Sequence, residues 1–266
     1  MSFWIAIFLG LVQGLTEFLP VSSSGHLTFF EIAFGLSGDN VLYNVLLHFA
    51  TLLALVIFMR KQIWQIVKNP LGKQTFLLLF ASVLTGVVGI GVDQIFGASG
   101  NLFVVAIGFV ITAIVLLLVN KKTKQKTYCP TSAITYKNAC LIGIVQGIAV
   151  LPGLSRSGST LGAGILGGAG QKQSAEFSFL LGLPIIVMGC IYEIYKGFKI
   201  GFNFNQTDIF PMAIGCVVAF VVALLSLKFM MKLVQKNRWI LFSIYLVSFA
   251  TLIIIYGIAT GTLFLK

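Results

Sequence analysis

Six unbroken apolar runs, at roughly 41–59, 75–96, 102–119, 174–195, 210–228 and 239–261, restrict what this chain can fold into more than any other feature. Each is close to the about 20 residues that a helix needs to cross a bilayer, and in hydrocarbon only helices and closed barrels satisfy their own backbone. A barrel would show strands of about 10 residues alternating in polarity, and these runs do not alternate. The expected fold class is all-α, a polytopic membrane protein. Composition agrees: 58% of the residues are hydrophobic and 9% charged, against about 25% charge in a soluble domain.

The formal net charge of +11 raises the question of a nucleic-acid partner. The cations argue against one, because they sit in short loops between apolar runs, as cytoplasmic loops of membrane proteins do. The four cysteines, Cys129, Cys140, Cys190 and Cys216, are scattered with no CxxC pair, and small packing roles are expected of them. The N-terminus has neither a basic n-region nor an A-x-A site, so no cleaved leader is expected.

Two further segments, roughly 2–36 and 134–170, are apolar but interrupted by Pro, Gly and Ser. Each reads as a half-helix, a polar break and a second half-helix. Such breaks occur at membrane depth only against protein or a wet cavity. If both segments are re-entrant, three spans follow each. Arg60, Lys61, Lys68, Lys73, Lys121, Lys122, Lys124, Lys126, Lys137, Lys172, Lys228, Lys232, Lys236 and Arg238 then share one side, and only Lys196, Lys199 and Lys266 face the other. That asymmetry places the basic side in the cytoplasm and both termini outside. Letting the second segment cross fully weakens the asymmetry, so charge favours its re-entrance. It is silent on the first segment, which is read as re-entrant by likeness to the second.

The two breaks resemble each other. "GLVQGLTEFLPVSSSGHL" starts at Gly10 and "GIVQGIAVLPGLSRSGST" at Gly143. Gln13 matches Gln146 and Gly25 matches Gly158, both at an offset of 133, half the chain length. The expected architecture is a duplication: repeat one over about 1–133 and repeat two over about 134–266, each a re-entrant helix-loop-helix plus three spans. An odd number of spans inverts the second copy, and inverted repeats with discontinuous helices bring their breaks together near the midplane.

The first break offers Ser22, Ser23, Ser24, Gly25 and His26; the second offers Ser155, Arg156, Ser157, Gly158, Ser159 and Thr160. Each opens a renewed helix, whose free N–H groups and dipole favour an anion. Arg156 adds a planar fork suited to phosphate oxygens; a structural ion pair is its plainer role. An arginine at membrane depth is costly, which makes a functional role the default. Glu17 stands four residues after Gln13 and shares a helix face with it. It is open to three uses: an oxygen ligand for Mg²⁺ or Ca²⁺ with Gln13 beside it, a general base or orienter of His26, or a structural partner of Arg156. His26, after Ser-Ser-Ser-Gly at a helix start, suits a proton shuttle or nucleophile. His48 lies in an unbroken apolar run and is expected to be structural, with nearness to the site left open. Glu176 and Ser178, opening the span after the second break, are candidates for supporting roles, while Asp39, Asp93 and Asp208 read as loop or span-end residues.

"QGLTEFLPVSSSGHL" together with "LPGLSRSGST" resembles the undecaprenyl-diphosphate phosphatase family of the bacitracin-resistance type, over the whole chain. The resemblance implies a multi-pass enzyme of the bacterial plasma (inner) membrane that hydrolyses undecaprenyl diphosphate, recycling the lipid carrier of cell-wall synthesis, with its site opening outward. The family's (E/Q)xxxE motif falls on Gln13 and Glu17, its Ser and His on Ser23 and His26. Its PGxSRSG(S/A)T motif falls on Pro152 through Thr160, with Ser155, Arg156, Ser157 and Thr160 as phosphate contacts. Many members carry Glu where Gln13 stands, which weakens any mechanism needing two carboxylates there. Dependence on a divalent cation is likewise implied by the resemblance. Whether His26, Ser23 or water attacks phosphorus stays open, as does homodimer formation. Acid-phosphatase-like lipid phosphatases are set aside because they need another histidine after the S-R element, and no histidine follows His48. A transporter or flippase for a phosphorylated lipid or other anion is the rival reading; Glu17 close to His26 favours chemistry, since moving an anion needs no nucleophile.

Overall fold

The computed structural model of this chain describes residues 2–36, 41–96, 101–125, 128–131, 133–200 and 209–264, the last part of the 133–200 stretch by its backbone alone. Asp39, Lys126, Asp208 and Lys266, and the side chains of Glu193, Lys196 and Lys199, lie outside the described residues. Among the described residues six helices are long and apolar enough to cross a membrane: α3 (Val41–Phe58), α5 (Lys73–Phe96), α6 (Leu102–Thr123), α9 (Gln171–Ile200), α10 (Ile209–Gln235) and α11 (Trp239–Thr260). They fall on the six apolar runs, as a multi-pass membrane protein requires. Several overrun them. The helix α6 continues to Thr123 with Lys121 and Lys122 in its last turn, because hydrophobicity measures the bilayer while backbone bonding continues into the interface, where cations complement the helix C-terminus. The loop expected after α3 contains a helix of its own, α4 (Arg60–Lys68).

Both interrupted segments form helix pairs: α1 (Phe3–Thr16) with α2 (Ser23–Ala33), and α7 (Tyr136–Ile148) with α8 (Arg156–Leu166). At about 1.5 Å per residue none of the four reaches the about 30 Å of a hydrocarbon core. Their breaks have local causes. Pro20 and Pro152 cannot continue the preceding helices. Ser22 caps α2, its Oγ accepting from Gly25 N at 3.4 Å, and takes the unusual φ of 67°. Ser155 caps α8 by accepting from Gly158 N at 3.1 Å. Gly153 has φ +81°, and a Cβ there would run into the Val105 carbonyl of α6; both facts call for glycine.

The short helices are held by small-residue crossings. Gly10 and Gly14 of α1 lie against the Gly215 and Ala219 backbone of α10. Gly143 and Gly147 of α7 lie in the same way against Ala81 and Gly89 of α5. Thr85 Oγ1 donates to the Gly143 carbonyl at 3.0 Å. Close backbone approach through small residues is how helices associate where lipid removes the hydrophobic drive. The helix α5 buries only the stripe Leu77, Ala81, Thr85 and Gly89, while Leu79, Val83, Val87 and Ile90 are exposed. An exposed apolar face of that size suits lipid contact rather than water. Helix α6 stands behind both breaks, with Gly108 against Gly153, Phe109 against Gly25 and Thr112 against Gly158.

Candidate active site

The two breaks meet. Arg156 Nη2 donates to Glu17 Oε1 at 2.5 Å, and Nη1 donates to the Gly182 carbonyl of α9 at 3.2 Å. Ser157 Oγ donates to the Leu19 carbonyl at 2.8 Å. Pro20 of the first break packs on Gly158 of the second. Thr112 Oγ1, on α6, accepts from Ser155 N at 3.0 Å. Residues far apart in sequence are thus tied together by polar bonds that are buried or part-buried, and such bonds gain strength as the local dielectric falls.

Glu17 is the hub. It sits at the C-terminal end of α1 and is 6% exposed. While one carboxylate oxygen takes Arg156, the other, Oε2, accepts from Ser23 Oγ at 2.6 Å and from Gln13 Nε2 at 3.1 Å. His48 Nε2 lies 3.9 Å from the same oxygen. A carboxylate removed from water loses several kcal/mol of solvation unless charge and hydrogen bonds replace it; here both do.

A cleft of about 440 Å³ opens on this cluster, within the range of small-molecule sites. Its polar lining includes Glu17, Ser22, Ser23, Ser24, Ser155, Arg156 and Ser157, and its apolar lining Leu27, Val41, Val45, Ile185 and Ile186. The first residues of α2 and α8 therefore face one space, with two helix N-termini and a guanidinium converging on it. Arg156 has five N–H donors, more than its two bonds in the structure use. The lining combines groups that suit a phosphorylated head with side chains that suit an apolar chain.

Not every candidate reaches the cleft. His26 is buried, with Nδ1 donating to the Ser22 carbonyl at 2.7 Å. Its Nε2 lies 2.6 Å from Tyr245 Oη, and its ring packs against Phe109, Tyr245 and Phe249. Its partners hold the unusual Ser22 backbone in place, and the ring lies off the cleft. Gly25, Gly158, Ser159 and Thr160 also lie behind the lining; Thr160 bonds the Arg156 carbonyl at 2.8 Å and the Ser178 hydroxyl. Ser178 thus supports the second break, whereas Glu176 faces Lys172 at 4.0 Å and lines a separate cavity with Lys73. In their place the cleft gains Glu31, Asn44 and His48. For His48 one signal in the sequence goes with this placement. Asn44, His48 and Thr51 sit at i, i+4 and i+7 in an otherwise apolar run, a polar stripe on one helix face. None of the four cysteines forms a disulfide among the described residues.

The residues present fit the divalent cation that the resemblance implies. Gln13 is fully buried, and its Oε1 has no partner among the described residues. Turning that amide over would set its oxygen beside the Glu17 carboxylate. Carboxylate, amide and hydroxyl oxygens suit hard cations. No group of three or more His, Cys, Asp or Glu side chains able to hold a metal occurs among the described residues, so neutral oxygens have to complete the set.

The profile of the bacitracin resistance protein BacA family matches residues 6–252. The chain is 35% identical over 250 residues to the undecaprenyl-diphosphatase of Carboxydothermus hydrogenoformans, covering 92% of this chain and 94% of that one. It is 34% identical to the undecaprenyl-diphosphatase of Sulfurimonas denitrificans, covering 94% and 97%. It is 36% identical to that of Campylobacter jejuni, covering 90% and 89%.

Proposed function

This chain belongs to the bacitracin resistance protein BacA family, and from that premise we propose that it hydrolyses undecaprenyl diphosphate to undecaprenyl phosphate and inorganic phosphate. The activity returns the lipid carrier to cell-wall synthesis, and the family name ties it to bacitracin resistance. One observation carries the reading at the level of chemistry: Ser23 Oγ, on the cleft wall, donates to Glu17 Oε2 at 2.6 Å while Arg156 holds the opposite oxygen.

In this mechanism the diphosphate head lies between the N-termini of α2 and α8, and the prenyl tail runs along Leu27, Val45 and Ile186 towards lipid. Ser23 Oγ attacks the terminal phosphorus in line with the bridging oxygen, and Glu17 receives the hydroxyl proton. The bond from phosphorus to the bridging oxygen breaks, and undecaprenyl phosphate leaves. Water then releases inorganic phosphate from the serine. The free N–H groups of Arg156 and the helix termini stabilise the equatorial oxygens, the dominant contribution in phosphoryl transfer. A divalent cation held by Glu17 and Gln13 would supply further positive charge for the phosphate oxygens. His26 acts on this chemistry by holding the Ser22 carbonyl, and so the start of α2.

Two features of the architecture belong to the same proposal. The crossing of α1 with α10 repeats that of α7 with α5, with Gly10 and Gly14 matched by Gly143 and Gly147. This supports inverted repeats with re-entrant broken segments. The cleft is walled by the start of α3 and the later part of α9, the ends away from Arg60, Lys61 and Lys172. This supports an opening to the outer face of the inner membrane, with both termini outside.

The test is phosphate release from undecaprenyl or farnesyl diphosphate by the full chain purified in detergent. Release is expected, and its loss in Glu17→Ala and Arg156→Ala. A folded wild-type protein that binds the lipid but releases no phosphate would leave the flippase reading in possession.

A further inference from the structure

The second imidazole differs from the first in what its outer nitrogen meets. His48 Nδ1 lies 2.8 Å from the Asn44 carbonyl. A carbonyl only accepts, so Nδ1 carries the proton, and in the neutral ring Nε2 is left with a lone pair. In His26 the corresponding nitrogen meets the Tyr245 hydroxyl. In His48 it lies on the cleft wall, 3.9 Å from Glu17 Oε2 and beyond hydrogen-bond reach.

Three observations and a bond-length argument converge on this gap. An imidazole whose Nδ1–H is tied to a backbone carbonyl has the orientation typical of metal-ligating histidines, because the tie fixes both tautomer and ring plane. Two ligand bonds of the about 2.0–2.2 Å that zinc makes to nitrogen and carboxylate oxygen add up to slightly more than this gap, so a single divalent ion can span it at a wide angle. The Gln13 amide, whose oxygen is buried without a partner, adjoins the same carboxylate oxygen. Glu31 also lines the cleft, held by Asn44 Nδ2 at 2.8 Å. Two carboxylates in a cleft built for a diphosphate call for more positive charge than Arg156 alone.

We propose that His48 Nε2 is a direct ligand of the divalent cation at Glu17, making this a mixed nitrogen–oxygen site that favours Mn²⁺-type ions over Ca²⁺. The assignment rests on the cation reading of the proposed hydrolase. Imidazole nitrogen suits the first-row transition ions, whereas all-oxygen sites suit Ca²⁺ and Mg²⁺. Among the described residues His48 is the imidazole that changes the site's class, since His26 lies off the cleft.

The experiment loads the purified full-length protein in detergent with Mn²⁺ alone and records pulsed electron paramagnetic resonance. Wild type and His26→Ala are expected to show the ¹⁴N coupling of a directly bound imidazole. His48→Ala should lose the coupling and bind Mn²⁺ about 10-fold more weakly or worse. His48→Gln, which keeps an oxygen donor of similar reach, should retain Mn²⁺ binding without the nitrogen signal. Coupling that persists in His48→Gln, Mn²⁺ bound by wild type without nitrogen coupling, or no saturable Mn²⁺ binding would overturn the proposal. Phosphate release measured on the same preparations separates the two readings. Release without nitrogen coupling removes His48 alone, and nitrogen coupling without release removes the hydrolase.

Discussion

Arg156 and Glu17 lie 139 positions apart in the chain, and their side chains share a hydrogen-bonded ion pair of 2.5 Å. The pair ties the second break to the first and leaves Glu17 Oε2 free to hold Ser23. Breaking a buried pair by removing one partner costs about 3–5 kcal/mol, because the other charge is stranded. Arg156→Met and Glu17→Gln are each expected to lower the unfolding midpoint in detergent. The double variant should be less destabilised than the two single losses added together. Additive losses would mean that the pair holds nothing together.

Arg156→Lys keeps the charge and loses the fork. A point charge cannot bond Glu17, the Gly182 carbonyl and phosphate at once. Phosphate release is expected to fall about 10²-fold or more, the scale seen when one transition-state donor is removed, with the unfolding midpoint less affected than in Arg156→Met. A Lys variant with wild-type turnover would show that charge alone suffices.

Ser23→Ala removes the hydroxyl that donates to Glu17 while leaving the cap at Ser22 in place. Turnover should drop to background, with Mn²⁺ or Mg²⁺ still binding and the midpoint within about 1 kcal/mol of wild type, as one lost hydrogen bond implies. Retained turnover would pass the nucleophile's role to water.

Tyr245→Phe withdraws the hydroxyl that meets His26 Nε2. An unpaired buried polar group costs about 1–3 kcal/mol, so the variant should unfold earlier. Its remaining folded fraction should turn over substrate at close to the wild-type rate, because His26 lies off the cleft. A selective loss of turnover with unchanged stability would bring His26 back into the chemistry.

Two glycines make a contrasting pair. Gly153→Ala meets both a φ of +81° and the Val105 carbonyl, and should destabilise by about 2 kcal/mol or more. Gly86→Ala, in helix α5 with nothing within 4 Å of the added carbon, should be neutral or stabilise by up to about 1 kcal/mol. Thermal unfolding of the two variants reads the difference directly.

Much of this protein is written in local pattern. The six long helices coincide with the apolar runs, because length and hydrophobicity in a bilayer leave the backbone no alternative. The ends of the short helices follow from Pro20, Pro152 and the capping serines, which act within a few residues of themselves. The matching of Gln13 with Gln146 and of Gly25 with Gly158 pointed to two related breaks, and the motifs pointed to a phosphorylated lipid.

What the one-dimensional pattern did not contain is direction. Ser22 to His26 is a run of five polar or small residues, and nothing in its spelling says that Ser23 faces the cleft while His26 turns into the aromatic cluster of Phe109, Tyr245 and Phe249. That choice depends on a helix 219 positions away. The same holds for His48, one of a short polar stripe in an apolar run, whose place 3.9 Å from Glu17 is set by the packing of α1 against α3. The sequence by itself determined the six long helices, the two breaks and the class of ligand, since each of these arises from neighbours along the chain. Only the tertiary structure decided which side chains share the cleft, because the side a residue presents is set by what packs against its helix.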